Sequence, residues 1–204
     1  MDRGEKLALF LGMLSGDGCL SIAHNGEGYR NYPIDFCNVE KEIVLLFNKL
    51  FYDLFEISGN INFVQRPNRK IIWTFRKHSR KVVEELKSLG FPEGVKRDVL
   101  RVLPVIKNGT EKEQLLFFQG VLITDGCDKP KRGIMFHLGS KLFLEDLSDL
   151  VNQIIDVKKP VKEFSQKRYR SYQLYLNKKE KDLLLSQMPV WDNGTPLVLR
   201  VILN

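Results

Sequence analysis

The sequence predicts an α+β protein of two pseudo-symmetric halves, each with the element order α-β-β-α-β-β-α. The segment LALFLGMLSGDGCL (7–20) returns as QLLFFQGVLITDGCD (114–128). Similar helix and strand patterns follow each copy, and both copies carry small residues at helical spacing. The two Asp-Gly-Cys triplets begin at Asp17 and Asp125, 108 residues apart in a chain of 204. Self-similarity at this spacing indicates a duplicated structural unit.

In the first half, apolar residues at helical or alternating spacing predict three helices and three strands. The helices are one ending at Gly18, one at 40–55 and one at 79–91, and the strands are IDFCN (34–38), NINFV (60–64) and KIIWTFRK (70–77). In the last of these strands, we expect Ile71, Trp73 and Phe75 to share one face.

The second half repeats this order. Thr110 and Glu113 form a capping box that opens its first helix. The patterns that follow are a strand at 133–138, a helix at 140–156, a strand pair at 160–166 and 171–177, and a helix at 178–188. The two halves would comprise residues 1–105 and 113–204, with a linker at 106–112, where Asn108 and Gly109 favour a loop.

The composition, with 43% hydrophobic and 28% charged residues, is that of a soluble globular protein. Its net charge of +7 favours a polyanionic partner. The apolar run near the N-terminus has no signal-peptide cleavage site and no stretch reaches transmembrane length, so we expect an intracellular protein. Three cysteines are too few for a disulfide framework or a zinc site, and we expect Cys19 and Cys127 to be small buried thiols.

The repeated helices carry a stripe of small residues. Ala8, Gly12 and Gly16 lie four residues apart in the first copy, as do Gly120 and Thr124 in the second. A glycine inside a helix costs about 1 kcal/mol relative to alanine. We therefore expect the two helices to pack closely on each other, because small residues at this spacing allow helix backbones to approach.

Parallel packing of these helices would bring Asp17 and Asp125 together at their C-terminal ends. Two carboxylates there repel each other and face the negative ends of both helix dipoles. A divalent cation between them would reverse the balance, and oxygen-only ligands in a partly open site favour Mg²⁺. The alternative is that Asp-Gly merely ends each helix with a turn. Two copies in matched context favour the metal site.

The repeated segments resemble the nine-residue motif of the LAGLIDADG homing endonucleases, at FLGMLSGDG (10–18) and FQGVLITDG (118–126). The resemblance covers the chain except for the tail at 190–204. It implies a monomer of the single-chain type, whose two antiparallel sheets form a saddle over the major groove of a long pseudo-palindromic DNA site. It also implies intron-encoded homing by metal-dependent hydrolysis of both strands across the minor groove, leaving 3′ overhangs. The implied cofactor is Mg²⁺, with Mn²⁺ as an alternative and Ca²⁺ supporting binding without cleavage.

The resemblance also assigns roles to residues at matching positions. The implied catalytic residues are Asp17, Asp125, Asn38, Lys96 and Lys129. The implied metal ligands are the carboxylates of Asp17 and Asp125, with the backbone carbonyls of Gly16 and Thr124. The amide and the two lysines would order water or balance phosphate charge, although either lysine alone is more typical of a solvated surface residue.

The two halves differ at one of these positions. Laying IDFCN on IMFHL pairs Asn38 with Leu138, so the second half lacks the amide. His137 falls one step earlier and should point to the other face of its sheet. We therefore expect an asymmetric active site.

Candidate DNA contacts come from strand positions opposite the apolar phase and from polar loops, where Arg, Lys, Asn and Gln suit base edges and phosphates. The strand candidates are Asp35, Asn62, Lys70, Thr74, Arg76, Met135, His137, Gln173 and Tyr175. The loop candidates are Tyr29, Arg30, Asn31, Arg66, Asn68, Arg69, Lys131, Arg132, Lys167, Arg168 and Arg170.

A second interpretation is an RNA-binding intron maturase that uses the same fold without cleavage. An acid in both motifs favours the endonuclease, because RNA binding alone requires neither. An intein is a third and less favoured interpretation, because we expect no room for a separate splicing domain in 204 residues.

Overall fold

The computed structural model describes residues 1–24, 30–65, 67–129, 132–166 and 169–188. Its helices are α1 (Arg3–Asp17), α2 (Lys41–Phe55), α3 (Arg80–Ser88), α4 (Pro104–Lys107), α5 (Glu111–Asp125), α6 (Lys141–Ile155) and α7 (Lys178–Gln187). Its strands are β1 (Gly18–Leu20), β2 (Ala23–His24), β3 (Arg30–Asn31), β4 (Pro33–Asn38), β5 (Asn60–Val64), β6 (Ile72–His78), β7 (Gly126–Lys129), β8 (Gly133–Leu138), β9 (Lys162–Gln166) and β10 (Tyr169–Asn177). The predicted α+β fold is confirmed: each half has the order α-β-β-α-β-β-α, and a short β2–β3 pair is inserted in the first.

Each half contains one four-stranded antiparallel sheet, with strand order β1-β4-β6-β5 in the first and β7-β8-β10-β9 in the second. The registers of the two sheets are equivalent. Phe36 pairs with Gly18 and Phe75, and Phe136 pairs with Gly126 and Leu174. Because side chains alternate along a strand, Phe36 and Phe136 are buried against the helices in both halves. We call the opposite, solvent-facing side of each sheet its outer face.

Helices α1 and α5 pack side by side where the halves meet. A Cβ added to Gly12 would lie 3.0 Å from the Cα of Gly120. A Cβ added to Gly16 would lie 2.7 Å from the Cβ of Thr124. The contacts advance together along both helices, so the helices are parallel and these residues face their repeat equivalents. The predicted close packing is confirmed, and it leaves no space for a side chain at either glycine of the first copy.

These two helices form the centre of the core. Every residue from Ala8 to Ser15 is buried, because α1 contacts α5, α2 and the first sheet. In the first half, Phe10 and Phe36 pack on Phe47, which stacks on Phe36 with ring centroids 4.1 Å apart. None of the described helices is long and apolar enough to cross a membrane.

The cysteines of the two Asp-Gly-Cys triplets are not buried as expected. Cys19 is half-buried and Cys127 is exposed. The preceding glycines, Gly18 and Gly126, pair with the core-facing residues Phe36 and Phe136. Since a strand alternates its faces, the cysteines that follow lie on the outer faces.

Two further expectations differ from the structure. The prediction that Ile71, Trp73 and Phe75 share one strand face is only partly correct, because β6 begins at Ile72 and Ile71 is exposed. The loop expected between the halves contains the short helix α4, which begins with Pro104, a residue suited to the first turn of a helix. The predicted capping box of Thr110 and Glu113 is confirmed.

Candidate active site

Each motif helix passes directly into a strand at its Asp-Gly pair. Gly18 and Gly126 are both in extended conformation, and their backbone N–H groups bond back to the carbonyls of Leu14 and Leu122. A Cβ on Gly18 would lie 2.7 Å from the oxygen of Leu14. The Asp-Gly pair therefore does not form a turn. The alternative, that Asp-Gly merely ends each helix with a turn, is wrong.

The last residues of α1 and α5 meet at this end of the helix pair. A Cβ on Gly16 would lie 2.9 Å from Oδ2 of Asp125, so the carboxyl group of Asp125 lies against the end of α1. Burial and, less strongly, the nearby charge of Asp17 together raise the pKa of Asp125 to about 7, against the opposing effect of Lys96. Burial likewise raises the pKa of Asp17 to about 6. The two acids thus form one electrostatically coupled group.

Asn38 holds the carboxyl group of Asp17. It ends β4, two residues after Phe36, and therefore shares the core-facing side of the strand. Its Nδ2 donates to Oδ2 of Asp17 at 2.6 Å, and its Oδ1 accepts from the backbone N–H of Glu40 at 2.8 Å. The second contact fixes which amide atom faces the acid. The hydrogen bond also lowers the pKa of Asp17 against the larger effect of burial.

Lys96 reaches the same place from the connector, which we define as residues 89–110 between α3 and α5. Its Nζ donates to the carbonyls of Leu14, Ser15 and Gly16 at 3.1, 2.8 and 2.7 Å. The carbonyls of Ser15 and Gly16 lie in the last turn of α1, where helix geometry leaves acceptors unpaired, and the carbonyl of Leu14 also accepts from the N–H of Gly18. Burial lowers the pKa of Lys96, while the charges of Asp125, Cys19 and Asp17 oppose that shift. The ammonium thus places a cation beside both acids.

Among the residues that the structure describes in the second half, none is equivalent to Asn38. β4 and β8 have the same burial pattern, and Leu138 ends β8 as Asn38 ends β4. A leucine offers no hydrogen bond to Asp125. Lys129 ends β7, but its side chain lies outside the described part of the structure.

The oxygen donors at this site fit a hard divalent cation. Mg²⁺ is commonly held by one or two carboxylates and completes its coordination with water and substrate phosphates. Among the described residues, no group of three or more His, Cys, Asp or Glu side chains is arranged to hold a metal ion. Asp17 and Asp125 would therefore supply only part of the coordination. The Gly16 carbonyl already accepts a hydrogen bond from Lys96, although a carbonyl oxygen has a second lone pair.

The predicted DNA contacts divide between the two outer faces and the loops. The outer-face candidates in strands are Asp35, Asn62, Thr74 and Arg76 in the first sheet and Met135, His137, Gln173 and Tyr175 in the second. His137 is exposed and its Nε2 lies 2.6 Å from Oγ of Ser171, so its predicted orientation is confirmed.

Other candidates lie elsewhere than expected or outside the description. Lys70 precedes β6 instead of lying on it, and it follows Asn68 and Arg69 in the loop between β5 and β6. Arg170 belongs to β10 and not to a loop, because that strand begins at Tyr169. Arg30 and Asn31 form β3 instead of a loop. Asn31 is exposed, as is Arg132. Tyr29, Arg66, Lys131, Lys167, Arg168 and the tail lie outside the described residues, as does the side chain of Arg30.

No sequence pattern indicates the cluster of residues that anchors the connector. Asp146 of α6 is buried and accepts hydrogen bonds from Arg101, Lys107 and the backbone N–H of Val102, at 2.7–3.0 Å. Burial raises the pKa of Asp146, but these hydrogen bonds outweigh it and lower the pKa. Ser140 adds a hydrogen bond from its Oγ to the carbonyl of Leu100. The segment that carries Lys96 is therefore fastened to the second half.

No protein-family model and no curated protein sequence matches this chain. Its fold, however, is similar to that of the homing endonuclease I-DmoI. Mesophilic variants of that enzyme superpose with a TM-score of 0.74 at 17% identity, over 97% of this chain and 95% of that chain. The complex of I-DmoI with DNA and Ca gives a TM-score of 0.72 at 18% identity, over 98% and 97% of the two chains.

A second homing endonuclease, I-WcaI bound to its DNA recognition sequence, gives a TM-score of 0.61 at 17% identity, over 91% of this chain and 80% of that chain. Further I-DmoI structures are complexes with DNA and Mn, or with target DNA in the presence of Mg. The sequence motifs and these superpositions agree on the architecture. This chain has the fold of the LAGLIDADG homing endonucleases.

Proposed function

We propose that this protein is a metal-dependent, site-specific DNA endonuclease. The observation that carries the proposal is the meeting of Asp17 and Asp125, two acids of raised pKa, at the ends of paired parallel helices. A fold rarely brings two half-buried carboxyl groups together unless a cation or a proton is to be held there. The net charge of +7 and the two exposed sheet faces suit a polyanionic substrate.

The residues of the site divide the chemistry between them. A divalent cation at Asp17 and Asp125 would activate water and stabilise the departing oxygen of a phosphodiester. Asn38 orients the carboxyl group of Asp17. Lys96, beside both acids, would balance the charge of the phosphate. Lys129 would balance phosphate charge in the second half.

We base the finer features of the proposed activity on the similarity of the fold to that of the homing endonucleases. We propose that the outer faces bind the major groove of a long, imperfectly palindromic site, and that one chain cuts both strands across the minor groove with 3′ overhangs. Mg²⁺ would be the working ion, with Mn²⁺ as a substitute. An enzyme of this kind would serve the homing of the intron that encodes it.

The test is incubation of the purified chain in Mg²⁺ with double-stranded fragments that join the sequences flanking its coding region. We expect the wild type to cut one such junction. Asp17→Asn and Asp125→Asn should abolish double-strand cleavage yet bind the same fragment in Ca²⁺, since the fold and outer faces are kept. Asp182→Asn, an exposed position on α7, is the matched control and should cut normally.

Cleavage at the wild-type rate by either motif variant would refute the role of the acids. If the wild type cuts no DNA but binds RNA transcribed from the same region, the protein is instead a maturase.

A further inference from the structure

The outer faces of the two sheets carry opposite chemistry at equivalent positions. Asp35 pairs across the strands with Arg76, and Met135 pairs in the same register with Tyr175. Asp35 lies opposite Cys19, two residues after Asp17. Met135 lies opposite Cys127, two residues after Asp125. The ion pair and the apolar pair are therefore placed alike with respect to the two acids.

The ion pair of the first half fixes a guanidinium group on the outer face. Arg76 donates from Nε to Oδ1 of Asp35 at 2.6 Å and from Nη2 to Oδ2 at 3.0 Å. The side chains are 61% and 33% exposed. An arginine has five N–H donors in one plane, so two are engaged and the rest point away from the carboxylate. This planar group suits O6 and N7 of guanine, and the carboxylate beside it suits the N4 amino group of cytosine.

The equivalent pair of the second half is apolar. The hydroxyl of Tyr175 donates to the carbonyl of Arg132, which leaves its ring and the thioether of Met135 to line the surface. With Lys159, Pro160, Lys162 and Gln173 they line a cavity of about 360 Å³. An apolar contact of this kind suits the methyl group of thymine, and the amide of Gln173 suits N6 and N7 of adenine.

We infer that the first half selects a G·C pair and the second half an A·T pair at the positions that the two halves contact equivalently. The inference rests on the proposed function, because it requires that the outer faces bind DNA. The two half-sites of the DNA would then differ in sequence at positions that are contacted by equivalent parts of the two sheets.

The experiment is a binding selection by the full chain, in Ca²⁺, from a randomised double-stranded DNA library, followed by sequencing of the bound duplexes. We expect a G·C preference in one half-site and an A·T preference at the mirrored position, each by roughly 5- to 150-fold over the other base pair. The double variant Met135→Asp/Tyr175→Arg should convert the second preference to G·C. The reciprocal Asp35→Met/Arg76→Tyr should convert the first to A·T.

A more conservative variant separates base recognition from general affinity. Arg76→Lys keeps the charge but loses the planar donor group, so it should reduce the G·C preference while nonspecific binding is retained. Arg80→Lys, an exposed arginine paired with Glu84 on α3, is the matched control and should leave the preference unchanged. Unfolding midpoints of all variants report whether they fold.

The outcomes distinguish this inference from the proposed function. Selection of DNA with the same base pair at both positions, or preferences that the double variants do not move, would overturn the inference and leave the endonuclease intact. If the wild type selects no DNA at all, both are overturned.

Discussion

Asp17 and Asp125 lie where the folded protein disfavours negative charge. Burial raises the pKa of both, to about 6 and about 7. An aspartate with a higher pKa in the folded chain than in the unfolded chain destabilises the fold at any pH above both values. The metal-free protein therefore loses stability at the residues that its proposed activity requires, as active sites often do.

Asp125→Asn should raise the free energy of unfolding of the metal-free protein by about 1–3 kcal/mol at pH 8, because asparagine carries no charge to bury. The gain should shrink as the pH falls through 7 and vanish only well below the unfolded pKa of about 3.9, where the wild-type acid is protonated in both states. Urea unfolding in a chelator at several pH values measures it, with Asp182→Asn as the control. A gain that grows towards acid pH would contradict this explanation.

The second residue-scale expectation concerns the difference between Asn38 and Leu138. Since only Asp17 receives an amide hydrogen bond at this position, the two strands of a target should be cut at different rates. A supercoiled plasmid with the target should pass through a nicked form in which one strand is preferentially broken. Asn38→Leu should slow one strand by more than tenfold and the other much less. Equal cutting of both end-labelled strands would exclude the asymmetry.

At the scale of elements, the α1–α5 pair determines the geometry of the site. The helices meet at Gly12 and Gly120, where a Cβ on Gly120 would lie 2.7 Å from the backbone N of Met13. Separation of the two helix backbones at this point would also separate Asp17 and Asp125, which lie at the C-terminal ends of the helices. The glycines therefore influence both packing and the position of the carboxyl groups.

Gly12→Leu should lower the free energy of unfolding by at least about 1–3 kcal/mol, the usual cost of inserting atoms into a packed core. A side chain at position 12 would meet backbone atoms, which cannot change rotamer to make room. The loss of stability should therefore lie at the upper end of this range. Thermal unfolding measures the change. Lys179→Leu, which adds the same side chain at an exposed position of α7, should change stability by less than about 0.5 kcal/mol. An unchanged midpoint in Gly12→Leu would contradict the close packing.

Local and periodic features could be predicted from the sequence, and long-range ones could not. The strand phase of Phe36, the capping box at Thr110 and the stripe at Gly12 each depend on residues a few positions apart. The three hydrogen bonds of Lys96 join residues 80–82 positions apart, and those of Asp146 join residues 39–45 positions apart. No periodicity marks such contacts. The expected burial of Cys19 and Cys127 is wrong because nothing local to Asp-Gly-Cys shows that a strand begins at its glycine and turns the cysteine to the outer face.

At the scale of the whole molecule, the connector is attached to both halves of the protein. Gly94 donates to the carbonyl of Leu20 in the first half at 2.7 Å, and Asp146 of the second half holds Arg101 and Lys107. Between these attachments lies Lys96. The position of this ammonium group therefore depends on both halves.

Asp146→Asn should lower the free energy of unfolding at pH 7 by about 1–3 kcal/mol, because a buried carboxylate with charged donors is lost while the donors are partly solvated. The pKa of Asp146 is lowered in the folded state, so its contribution is present above the unfolded value and disappears as the pH falls below about 4. Urea unfolding at pH 7 and pH 3 tests this, with the exposed Asp149→Asn on the same helix as control. A loss of equal size at both pH values would contradict it.

The double attachment of the connector bears on how this gene could recombine. A chimera joined in the loop at 108–110 would take α6 from one parent and the partners of Asp146 from the other. It would preserve the sequence repeat yet mismatch Arg101 and Lys107 with a foreign helix, and so displace Lys96. With a junction just after α3, the connector and α6, the helix that binds it, would come from the same parent. The structural unit of the second half therefore includes the connector and begins before the sequence repeat does.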